Sequence, residues 1–246
     1  MKESTKKLLF LLLPEEENEL WIAVQQLQCV VPQLSAAGFQ SLLFLLEKRE
    51  FIRVNRRSQP NTVSLTPYGL EALKQEFPAF SSKGRSFEQQ RLLLFLEAPQ
   101  SDRNFRFLRQ LLLKHYAIPL TRAVFLYQGD LSEVVEKELF LRYKNSVVVV
   151  SADTWLVGDR YKIIGRKLRM DDFFSIYSGI SNEIDRLISI KEMKKTFMDS
   201  EKEKFNLVYD RFLRLLVELH PLFFLYFPQV KSPEELLFQL RSRLVL

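Results

Sequence analysis

Residues 34–66 read LSAAGFQSLLFLLEKREFIRVNRRSQPNTVSLT, and two periodicities divide them. Phe39, Leu42, Leu43 and Leu46 recur at i, i+3, i+4 and i+7, the apolar stripe of a helix that faces a core. Ser35 stands just ahead of that stripe, where its hydroxyl can accept from the free amides of a first turn. After Lys48-Arg49-Glu50 the pattern changes to two short β-type runs, 51–54 and 62–65. The polar stretch 55–61 joins them as a hairpin with a long, basic tip. Thr66-Pro67 opens another helix, with Thr66 as N-cap and Pro67 at the first helical position, where its missing N–H costs nothing.

Upstream, residues 8–13 and 19–28 read as two further short helices. Three helices, a hairpin and a closing helix make the order of a winged helix-turn-helix over 1–80, with 35–48 as recognition helix and the hairpin as wing. The small, flexible residues of 80–86 mark a linker, placed at 81–90. From 91 to 169 the rhythm is strand (91–96), helix, strand (123–127), helix (131–143), strand (147–151), then a basic strand or hairpin over 156–169. The first of these helices is capped by Asp102 and carries Phe105, Leu108, Leu112 and Tyr116. A sheet with helices on one face, of the split βαβ or ferredoxin-like kind, fits this order. Residues 170–246 read as helices 171–195, 201–219 and 232–244. The fold class expected is therefore α+β: a winged helix, a ferredoxin-like middle domain (91–169) and an α-helical C-terminal domain (170–246).

Composition narrows the function classes. The single cysteine, Cys29, excludes an intramolecular disulfide framework and reads as a small core residue in a reducing, cytoplasmic setting. With only His115 and His220, a His-based metal cage is not expected. No Gly-x-Ser-x-Gly or Gly-Lys-Ser/Thr loop occurs, so both histidines read as structural and no catalytic residue, metal or cofactor is assigned. The apolar runs 8–13 and 222–227 are too short for a signal peptide core or a membrane span. Net charge is +6, and residues 81–169 alone carry +7, which suggests an anionic partner or a strongly polarised surface.

The segment 48–57 holds Lys48, Arg49, Arg53, Arg56 and Arg57 against Glu50. On a hairpin tip beside a recognition helix, such cations, with Asn55, reach phosphates or the minor groove of double-stranded DNA. The plainer reading is a solvated charged loop. Outward positions of the helix would be Ala36, Ala37, Gln40, Ser41, Phe44 and Glu47. Gln40 can pair with adenine, Ser35 and Ser41 with base or phosphate, and Gly38 would let backbone approach a phosphate. The helix is poor in arginine, so a plain packing helix is its alternative. A second cluster, Arg160, Lys162, Arg166, Lys167 and Arg169, would present cations to phosphates of DNA or of a phosphorylated effector, Arg160 and Lys162 sharing a face if extended; a solvated face or a dimer edge competes.

Phe95-Leu96-Glu97-Ala98-Pro99, with Arg103, Arg106 and Leu108-Arg109 following, and then Leu120-Thr121-Arg122-Ala123-Val124-Phe125 form two distinctive stretches. They resemble the PaaX-like transcriptional regulators, which join a winged helix to a ferredoxin-like domain and a helical C-terminal domain. Weaker matches are Arg214 with His220-Pro221 and Tyr226-Phe227-Pro228, and, in the first domain, Leu34-Ser35, 42–46, 63–66 and Gly69. The sequence departs from the family at Tyr116-Ala117, where Gly-Phe is usual, at Ala123 and Phe125, where Ser and Trp are usual, and at His220, where an acid precedes the proline. The resemblance implies a homodimeric DNA-binding regulator, commonly a repressor, and an acyl-CoA effector in some relatives.

Two alternatives remain open. Glu97, at the end of the first middle-domain strand, stands where nucleases of CRISPR adaptation, which share this fold, bind metal between subunits; pairing with Arg103 or Arg106 is its structural counterpart. The neutral first 80 residues and the arginine-poor helix would also suit an interaction scaffold that does not bind DNA.

Overall fold

Ser35 caps a helix in the computed structural model, which describes residues 1–14, 19–77, 89–96, 103–152, 154–193 and 199–244. The chain divides into two compact units. One comprises Met1–Ser81, Ser175–Leu219 and Gln229–Leu246; the other comprises Ser82–Phe174 and His220–Pro228. The helices read as a third domain, 170–246, are thus shared between the two. Residues 81–88 of the proposed linker and both Glu97 and Asp102 lie outside the described residues, while Gln90, read as the linker's last residue, is already the first of a strand.

The first unit begins with α1 (Glu3–Leu11), β1 (Ile22–Ala23), α2 (Val24–Gln28) and α3 (Ala36–Lys48). The hairpin β2 (Ile52–Asn55) and β3 (Thr62–Leu65) follows, then α4 (Pro67–Glu76). β3 is the middle strand, antiparallel to both neighbours, with Val54 and Ile22 each opposite Val63. The sequence reads 19–28 as one helix; instead Ile22 and Ala23 pair with β3, because a β-sheet partner from 40 residues away satisfies their backbone. α3 buries Phe39, Leu43 and Leu46, with Leu42 half-buried, as its stripe requires.

α3 ends in a Schellman turn. Glu50 takes a left-handed φ of 59°, its N–H donates to the Glu47 carbonyl, and the Phe51 N–H reaches back to Leu46, each at 2.9 Å. Glycine normally fills that position, since a side chain there is strained. Thr66 caps α4 by accepting from the Gly69 N–H at 2.9 Å, while its own hydroxyl faces the carbonyls of Glu50 and Phe51. A Cβ on Gly69 would stand 2.1 Å from the Phe51 carbonyl oxygen, so only glycine lets α4 lie against the turn.

Leu8–Leu12 are fully buried, because α1 is covered on several sides. α9 (Asp199–Glu218) and α11 (Pro233–Leu244) supply part of that cover. The Tyr209 hydroxyl donates to the Lys7 carbonyl at 2.7 Å, and the Lys7 ammonium meets Asp210 at 2.6 Å. The buried Arg241 guanidinium donates to the carbonyls of Leu11, at 2.7 Å, and Leu13, satisfying groups that the end of α1 leaves bare. Burial pushes the Tyr209 hydroxyl well above its ordinary pKa, so it remains a donor.

In the second unit, β4 (Gln90–Phe95), β5 (Ile118–Pro119), β6 (Val124–Gln128) and β7 (Val147–Ser151) form an antiparallel sheet in the order β5-β6-β4-β7. Leu93 lies opposite Phe125 on one side and Val149 on the other. α5 (Arg103–Lys114) and α6 (Glu133–Glu138), continued by a π-helical turn over Leu139–Tyr143, join the strand–helix–strand halves. Leu93, Phe95 and Phe125 pack with Phe105, Leu108, Leu112, Val135 and Leu139 as one core, so both helices lie on the same face of the sheet.

α5 also ends in a Schellman turn, with Tyr116 at φ 65° and Ala117 donating to the Leu112 carbonyl at 2.9 Å. Residues 160–167, expected as strand or hairpin, are a helix, α7 (Arg160–Lys167), capped by the Asp159 carboxylate accepting from the Lys162 N–H at 3.1 Å. α8 (Met170–Met193) begins in this unit and α10 (Phe223–Tyr226) lies within it.

Candidate nucleic-acid interface

Burial of Phe39, Leu43 and Leu46 turns the opposite side of α3 outward. Ala36, Ala37, Gln40, Ser41, Phe44, Leu45 and Lys48 are all exposed, Phe44 at 65% of its surface. Ser35 spends an acceptor on the Gly38 N–H at 3.1 Å, and Ser41 donates to the Ala37 carbonyl at 2.9 Å. The Gly38 amide is therefore committed to the cap and is not offered to a phosphate, contrary to the sequence reading. Gln40 makes no side-chain hydrogen bond among the described residues.

The hairpin cations divide into two kinds. Arg56 grips Glu47 on α3 through both Nη atoms, at 2.9 and 2.5 Å. The hydrogen bonds from Arg56 hold the Glu47 carboxyl below its usual range, and the carboxylate in turn raises the guanidinium. Arg53 lies 3.7 Å from Glu19, which also accepts from the Ser64 hydroxyl at 2.8 Å. Lys48, Arg49 and Arg57 form no ion pair among the described residues and are exposed. Asn55 accepts from the Arg57 N–H at 3.0 Å, a turn that fixes the start of the tip.

The segment 48–57 is thus less positive in space than along the chain, because Glu47 and Glu19 neutralise two of its arginines. Nothing local in the sequence marks that pairing. A cleft of about 640 Å³ between the end of α3 and β2 is lined by Glu47, Glu50 and Arg53, and its carboxylates disfavour a phosphate there.

α7 disperses the second cluster. Successive helical residues turn about 100°, so Arg160 and Lys162 do not share a face. Arg160 stacks over the Tyr161 ring, Lys162 lies 3.8 Å from Asp159, and Arg169 pairs with Asp172 at 2.7 Å. Arg166 is exposed, and Lys167 joins a different set, with Arg106, Arg109 and Arg122. His115 Nδ1 lies 3.0 Å from the Ser132 hydroxyl, and His220 Nδ1 accepts from the Leu222 N–H at 3.2 Å. Cys29, expected in a core, is half-buried at the end of α2. Among the described residues no group of three His, Cys, Asp or Glu side chains could hold a metal, and no helix is long and apolar enough to cross a membrane.

No protein-family model matches the chain, and no curated protein sequence matches it. Among solved structures it is similar to the uncharacterized protein Rv0674 from Mycobacterium tuberculosis, at 14% identity and a TM-score of 0.45, over 96% of this chain and 90% of that one. At that level the likeness assigns neither a fold nor a function.

Proposed function

We propose that the chain is a DNA-binding transcriptional regulator of the winged-helix kind, a distant relative of the PaaX-like repressors that acts as a homodimer. The observation that carries this reading is the exposed face of α3 beside a hairpin whose tip holds Arg57. The order α1–β1–α2–α3–β2–β3, with β1 added to the hairpin, supports a winged helix. In the second unit, the β-α-β-β-α-β order and the strand arrangement support a ferredoxin-like domain.

On this reading α3 enters a major groove while Lys48, Arg49 and Arg57 meet flanking phosphates. Gln40 suits adenine, and Ala37 with Phe44 suits the methyl group of thymine, so the face fits A·T-rich half-sites. Duplex binding followed against salt tests the charge count. Three unpaired cations per protomer, doubled in a dimer, give a log–log slope of about −5 at roughly −0.9 per phosphate. Binding insensitive to salt would count against it.

One observation favours a second reading. Phe44 and Leu45 are exposed on the same helix as Ala36 and Ala37, an apolar face that a protein partner could cover. If Phe44→Asp leaves duplex binding intact but abolishes capture of a protein, that second reading takes precedence.

A further inference from the structure

Three elements of the second unit bring cations to one cleft. Arg106 and Arg109 lie one turn apart on α5, Arg122 stands between β5 and β6, and Lys167 ends α7; together they line a concave space of about 570 Å³. All four are exposed, and none has an ion pair or side-chain hydrogen bond among the described residues. Among the described residues no carboxylate lines the space. Three other arginines of the same unit are paired, Arg91 with Asp130, Arg142 with Glu138 and Arg169 with Asp172, while Arg103 and Arg166, like the cleft arginines, form no ion pair among the described residues.

Four cations on one concave wall repel each other, and an entering anion relieves that repulsion. Guanidinium forks match phosphate oxygens in pairs, and a lysine adds a mobile point charge. Phe105, Pro119 and Leu120 supply an apolar flank, and Thr121 a hydroxyl. The volume falls among those of small-molecule sites, roughly 300–1,000 Å³. A concave wall with an apolar flank suits a compact ligand better than the long stripe that a duplex tracks.

The geometry points to a site for the phosphate end of a small polyphosphate-bearing molecule, held by Arg106, Arg109, Arg122 and Lys167. Titration calorimetry of the full chain with sodium tripolyphosphate tests it. Saturable binding of one ion per chain is expected, at least tenfold weaker in Arg109→Ala/Arg122→Ala and unchanged in Arg57→Ala. The four side chains are exposed, so the double variant should melt like the wild type; Arg122→Gln with Lys167→Gln gives a milder pair. Absence of saturable binding, or binding as tight as the wild type's in both double variants, overturns the proposal. So does a loss of duplex binding in these variants with tripolyphosphate binding intact, which would make the cleft a nucleic-acid contact.

Discussion

Arg56 and Glu47 tie the tip of the hairpin to the last turn of α3, with the two Nη atoms on the two carboxylate oxygens. This pair adds a side-chain tie between the helix and ribbon that would meet DNA, beside the backbone bond from the Phe51 N–H to Leu46. The same pair withholds a cation from any phosphate.

Replacing Glu47 by glutamine should free that cation. Duplex binding by Glu47→Gln is expected to tighten at low salt, and its salt slope to steepen by about 0.9 per protomer. The carboxyl of Glu47 is held low, so its contribution to stability is fully present above the ordinary carboxylate range and is lost as pH falls through the lowered value. Thermal melts of wild type and Glu47→Gln should differ slightly at neutral pH and converge in acid.

Arg57 and Arg53 should not be equivalent. Arg57→Ala is expected to flatten the salt slope by about 0.9 per protomer, whereas Arg53→Ala, already facing Glu19, changes it less. Band shifts across a salt series separate them. An equal effect of the two would mean that Glu19 does not hold Arg53 in solution.

Glu50 occupies a left-handed position in the turn that ends α3. Glu50→Gly should raise stability by about 1 kcal/mol, the strain a side chain bears there. Urea unfolding followed by circular dichroism measures it.

Arg241 serves α1 from the far end of the chain. Arg241→Met keeps the stem but strips the donors from the carbonyls of Leu11 and Leu13, and should cost about 2–3 kcal/mol. The same urea measurement checks this, and wild-type stability in the variant would show that water satisfies those carbonyls.

Local signals made much of the first unit legible. Ser35 and Thr66 announce their caps, and the stripe at Phe39, Leu43 and Leu46 announces the buried face of α3. What stayed hidden depends on distant partners. Ile22 and Ala23 become a strand only against Val63 and Thr62, and Leu8–Leu12 are enclosed in part by helices that begin at Asp199 and Pro233. The weak apolar period of α7 suggests a strand, although Asp159, three residues before Lys162, is a helix-start signal. The departure at Tyr116 has a backbone meaning: the position is left-handed, and tyrosine stands where glycine would relax it. The candidate DNA contacts could be named from the sequence, but their charges could not be counted, since Glu19 and Glu47 pair across the fold.

Selection of bound duplexes from a random DNA pool tests most directly whether the outer face of α3 and the Arg57 tip read DNA. Enrichment of an A·T-rich sequence with two-fold symmetry, its half-sites a whole number of turns of about 10.5 base pairs apart, is the expected result. A pool that emerges no different from its input would contradict it.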